Sequence, residues 1–178
     1  MRSLVLSLLF VVIAAPSFAA DRQLADFYGA FLGHGAEEAA EGAQDRKTRF
    51  SQVIIRPAAA EKGFTIEWAT LKLKGDELPL EADTKSYTQT FRATENPNVY
   101  RATTSDDDQL AETSWAVIKG DTLSITQITV ERDGGYFVAK YDRTLTAKGM
   151  NVHFTRIENS RVVRTVKLSL LKGPAKVN

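Results

Sequence analysis

The chain has 178 residues, 43% hydrophobic, 25% charged and 9% aromatic, with no cysteine and a formal net charge of +1. That composition excludes disordered, collagen-like and disulfide-stapled classes. The near-zero charge argues against nucleic acid as a partner held through a basic field, and the length suits one domain with its own core.

The first segment, residues 1–20, reads MRSLVLSLLFVVIAAPSFAA. Arg2 precedes an apolar run from Leu4 to Ala15, Pro16 breaks it, and the small residues Ser17 and Ala19 stand at −3 and −1 of a cut after Ala19. This is the layout of a secretory signal peptide. The run falls short of the roughly 20 apolar residues that a membrane span needs. The reading is a signal peptide over 1–20 and one domain over 21–178, periplasmic or secreted, with no transmembrane span after signal removal. Loss of Arg2 leaves the remaining charges balanced, and without cysteine there is no lipid attachment point.

The rest reads as short strands separated by turn signals. Residues 21–26 suit one helical turn with Asp21 as its cap. Residues 27–33 and 49–56 read as the first two strands, with 36–44 between them as a loop. In 64–68, Phe64-Thr65-Ile66-Glu67-Trp68 alternates apolar and polar strictly, as a half-buried strand does. Residues 74–83, with Gly75 and Pro79, read as a loop. Strands follow over 87–92, 98–103, 114–118, 122–131, 136–146, 150–157 and 161–171. Lys119-Gly120-Asp121 and Arg132-Asp133-Gly134-Gly135 are hairpin signals, because glycine tolerates positive φ. Odd-numbered Leu123 and Ile125 followed by even-numbered Ile128 and Val130 suggest a bulge in 122–131. The expected fold is all-β, an up-and-down antiparallel barrel of about eight to ten strands, with a β-sandwich as the alternative. Lys72, Lys140 and Lys167 on the outer faces argue against a lipid-facing barrel.

The stretch Leu24-Ala25-Asp26-Phe27-Tyr28-Gly29-Ala30-Phe31 resembles the lipocalin opening Phe-x-Gly-x-Trp, with Phe31 in place of the tryptophan. Tyr141-Asp142-Arg143 resembles the second lipocalin stretch. The resemblance implies a lipocalin-like barrel in which Phe31 plugs the closed end and an arginine, Arg156 or Arg164, packs over it. Gly63-Phe64-Thr65-Ile66-Glu67-Trp68, Lys119-Gly120-Asp121-Thr122-Leu123 and Tyr141-Asp142-Arg143-Thr144-Leu145 are also similar to a family of uncharacterised secreted proteins of Gram-negative bacteria, which implies no activity.

Motifs for chemistry are scarce. His34 and His153 are isolated and lack metal-ligand spacing. There is no Gly-x-Ser-x-Gly elbow, His-Glu-x-x-His or phosphate-binding glycine loop. Asp106-Asp107-Asp108 are adjacent and read as a solvated loop tip rather than a cation loop. The expectation is therefore no catalytic residue, no metal and no cofactor. More informative are arginines on apolar faces. Strand alternation puts Arg156 with Met150, Val152 and Phe154, Arg164 with Val166 and Leu168, Arg101 with Val99, and Arg143 at the end of the Phe137, Ala139, Tyr141 face. A buried guanidinium needs a partner or an anion. The functional reading is a monomeric, non-catalytic barrel that binds a small apolar or amphiphilic, acidic ligand. Arg101, Arg156 and Arg164 would receive the acid, and Tyr100, Trp68, Trp115 and Tyr87 would line the rest. The alternative is a structural or interaction module of the cell envelope with a filled core, in which the arginines pair with nearby carboxylates.

Overall fold

The computed structural model describes residues 22–39, 47–60, 62–71, 85–102 and 111–173. A 3-10 helix (Leu24–Phe27) leads into ten strands. They are β1 (Gly29–Ala39), β2 (Lys47–Pro57), β3 (Gly63–Leu71), β4 (Lys85–Ala93), β5 (Val99–Ala102), β6 (Ala111–Lys119), β7 (Thr122–Val130), β8 (Tyr136–Thr146), β9 (Gly149–Glu158) and β10 (Arg161–Gly173). Each strand pairs antiparallel with the next, and β1 pairs with β10, which closes the meander into a barrel. This is the expected all-β, up-and-down architecture, and the sandwich does not form. The proposed signal peptide, Asp21, the loop over 74–83 and Asp106 to Asp108 lie outside the described residues.

Alternation decides which side chains fill the barrel. Phe31, Val53, Ile55, Phe64, Ile66, Phe91, Leu123, Ile125, Met150, Val152 and Leu170 point inward, are buried, and form one core with Phe27. They gather at the end where β1 starts. The same closed end carries the 3-10 helix and the turns after β2, β4, β6 and β8. Asp26 accepts a hydrogen bond from the Gln23 N–H at 3.0 Å. Arg22 ties the helix to the β6–β7 turn through the Gly120 carbonyl and an ion pair with Asp121 at 2.9 Å. The opposite end, termed the open end because it lies away from that helix, carries the connections after β1, β3, β5, β7 and β9, of which those after β1, β3 and β5 lie outside the described residues. Lys140 and Lys167 face outward and pair with Asp142 and Glu38, so the outer face is charged where the inner is apolar. Lys72 lies outside the described residues.

Two local expectations need correction. The first strand does not stop at Gly33: β1 runs to Ala39, through part of the supposed loop, while 40–44 lie outside the described residues. The reason is tertiary, since Glu37 is held by arginines of both flanking strands. β7 is not bulged. It stays in register with β6 and β8, so Gln127 and Thr129 face in while Ile128 and Val130 face out. The register shift sits instead in β10, between Val162 and Arg164. The glycine turns are as expected, with Gly120 at φ 55° and Gly134 at φ 87°, while the β9–β10 turn places Asn159 and Ser160 at positive φ.

The inner face of β1 has almost no side chains at mid-strand. A Cβ on Gly33 would lie 2.1 Å from the Ser169 carbonyl oxygen, and one on Gly35 would lie 1.8 Å from that of Lys167. Only glycine allows this approach to β10. Inner side chains of β2 and β10 therefore become neighbours across β1.

Candidate functional site

Midway along the barrel four aromatic rings run from wall to wall. Trp68 on β3 stacks on Tyr87 of β4 at 5.5 Å between centroids, Trp68 meets Tyr141 of β8 at 5.7 Å, and Tyr141 meets Phe154 of β9 at 4.7 Å. In a ring of ten, β3 and β8 stand five places apart in either direction, so they are opposite walls. The Trp68–Tyr141 contact thus spans the interior, an aromatic septum between the closed-end core and the open end. Burial raises the pKa of the Tyr141 hydroxyl above its ordinary 10.0, against the lowering influence of Arg143.

Toward the open end, arginines replace apolar residues on the inner face. Glu37 takes Arg49 from β2 and Arg164 from β10. Its ion pair with Arg49 is very close, the Arg164 Nη2 donates to Oε2 at 3.2 Å, and the Arg164 Nε lies 2.9 Å from Oε1. Arg156 pairs with Glu158 at 2.7 Å, and its guanidinium lies 4.3 Å from the Phe137 centroid. Neither Nε is aligned for a hydrogen bond. Arg156 and Arg164 are also directly opposite in the β9–β10 ladder, a like-charge pairing that costs stability.

Arg143 is different. It stands on the inner face of β8 between Leu123 and Val152 in register, is only 1% exposed, and its guanidinium carbon lies 4.9 Å from the Tyr141 centroid. Its Nε and Nη1 have no acceptor, and among the described residues no carboxylate pairs with it. Burial pulls its pKa down to about 10. Asp142, next in sequence, faces outward to Lys140 and Ser124.

The sequence-proposed ligand residues separate into three groups. Trp68, Tyr87, Arg156 and Arg164 come together on the inner face, in and above the septum. Tyr100 is inward but sits in the closed-end core, edge-on to Phe64 at 5.4 Å. Arg101 and Trp115 are neighbours in the β5–β6 ladder and face out. This is the reverse of the face expected for Arg101, because burying Tyr100 opposite the small Ala116 turns Val99 and Arg101 outward. Nor does Arg156 or Arg164 pack over Phe31. Both lie toward the other end, and the cation over Phe31 is Lys172, at 5.7 Å. His34 and His153 are exposed on the outer face, His34 beside Phe50 at 5.3 Å. Glu37 and Arg49 were missed as site residues. Their signal was alternation with Phe31 and Val53, obscured by reading 36–44 as a loop. The chain matches no family model, no curated protein and no solved structure.

Proposed function

We propose that this chain is an exported, monomeric, non-catalytic barrel that binds a small amphiphilic acid in its interior. The observation that carries the reading is the charge balance of the interior. Four arginines, Arg49, Arg143, Arg156 and Arg164, face inward, the last three against aromatic rings, and among the described residues Glu37 and Glu158 are the carboxylates that pair with them. An apolar interior with excess cationic charge is costly when empty and is relieved by an anion that carries its own apolar body. The lipocalin-like opening around Phe31 and the plugged closed end are in keeping with carriage.

A second reading, a filled structural or interaction module of the envelope, is favoured by the Trp68–Tyr141 contact across the interior. Native mass spectrometry of protein purified from its own envelope separates the two. An acid that co-purifies supports carriage. Protein that arrives empty and takes up neither an added alkyl acid nor an alkyl alcohol is the filled module.

A further inference from the structure

Resting on the carrier reading, we infer that the ligand is a monocarboxylate whose acid end passes the aromatic septum and is held by Arg143, with its tail pointing back to the open end. The rim arginines are poor candidates for the acid, because Arg164 and Arg49 already share Glu37 and Arg156 has Glu158. Arg143 has no such partner. Its Nε and Nη1 together carry three of the five guanidinium N–H donors, all without an acceptor in a side chain that is 1% exposed. Groups this buried are almost always satisfied in a working protein. Its register neighbours Leu123 and Val152 are apolar, so neither ladder partner offsets its charge. One negative charge neutralises it, while a dianionic phosphate would leave a buried negative charge uncompensated.

The route is the septum. Tyr141 touches Trp68, Phe154 and Arg143, so it sits between the open end and the guanidinium. Trp68 and Tyr87 form one side of the contact and Tyr141 and Phe154 the other. Tyr87 is 54% exposed, so the Trp68–Tyr87 stack is the side of the contact that solvent reaches. Entry of a chain therefore parts Trp68 from Tyr141, and the tail then lies along the aromatic faces.

The test uses Trp115→Phe, which leaves Trp68 as the sole tryptophan of the two in the chain. Dodecanoate, dodecanol and dodecyl phosphate are titrated against its emission. Dodecanoate is expected to bind, shift Trp68 emission, and bind at least about tenfold tighter than dodecyl phosphate. Arg143→Met should weaken dodecanoate by about tenfold or more and leave dodecanol unchanged, whereas Arg164→Met should change neither by more than about threefold. A measurement needing no Arg143 variant runs beside it. Relative to dodecanol, dodecanoate affinity should change less than about twofold between about 0.05 M and about 0.5 M salt, because a buried pair is weakly screened. If Arg164→Met or Arg156→Met abolishes acid preference while Arg143→Met does not, or if that preference falls steeply with salt, the acid sits at the rim. This inference then fails while carriage stands. If neither dodecanoate nor dodecanol binds, carriage itself fails with it.

Discussion

Replacing Arg143 with methionine should raise the stability of the ligand-free barrel, although it removes a large, wholly buried side chain. Burial pulls the guanidinium pKa from its ordinary value down to about 10, against the favourable influence of Tyr141 and Asp142. At 1.36 kcal/mol per tenfold this is about 3 kcal/mol of preference for the neutral form. A base with a depressed folded pKa is charged in both states at neutral pH. The penalty is therefore fully present below about pH 10 and is relieved only as pH climbs from there toward the ordinary arginine value. Methionine keeps most of the length, removes the charge and gives up the contact with Tyr141, worth about 1–2 kcal/mol. The net gain is about 1–2 kcal/mol, or a rise in Tm of about 3–6 °C for a domain of this size. Urea unfolding followed by tryptophan emission, on protein stripped of ligand by unfolding and refolding, measures it directly. A variant less stable than the parent by about 1 kcal/mol would refute the reasoning. It would mean that the guanidinium is satisfied and favourable in the empty barrel.

Three other outcomes check the fold and its charges. Phe31→Ala removes a fully buried ring from the closed-end core and should cost about 3–5 kcal/mol in chemical denaturation. Gly35→Val drives a side chain into the Lys167 carbonyl, a backbone atom that no rotamer change can move aside. It should prevent closure of β1 on β10 and yield insoluble protein, whereas Gly120→Ala, with open space around it, should cost only about 1 kcal/mol through its positive φ. Burial pushes the Asp142 carboxyl up, but hydrogen bonds from Ser124 and Lys140 outweigh it and hold the group below its ordinary 3.8. Such a carboxylate adds stability above that ordinary value and loses it as pH falls through the folded one. Asp142→Asn should therefore flatten the acid limb of the stability curve below about pH 4, as read by circular dichroism.

Much of the barrel was legible because its strands are half-buried and its turns are chemically marked. The alternation of Phe64 to Trp68, the Gly120 and Gly134 turns and the full span of β8 could be read residue by residue. What local reading lacked was each strand's partners. Ala36 to Ala39 look like helix or loop until Arg49 and Arg164 are placed beside Glu37. Val99 and Arg101 look like an inner face until Tyr100 is seen to need the space opposite Ala116. Arg143 could be placed on an apolar face from sequence, but its distinction from Arg156 and Arg164 is the absence of a neighbouring carboxylate. That depends on Glu37 and Glu158 arriving from chosen strand ends.

The closure of β1 on β10 also shapes how the molecule assembles. Nine of the ten ladders join strands consecutive in sequence and can zip from their turns. The tenth joins residues from Ala39 with Arg164 to Ala30 with Gly173, at the two extremes of the domain. Bringing such distant segments together costs about 4 kcal/mol in chain entropy on a logarithmic loop estimate, and long-range pairing is what slows folding of β proteins. The glycines of β1 stand at this late-forming seam, where a single misplaced side chain would meet the backbone of β10 after every other strand had found its neighbour. A chain stalled there would expose two unpaired strand edges, the surfaces through which β proteins most readily associate with copies of themselves.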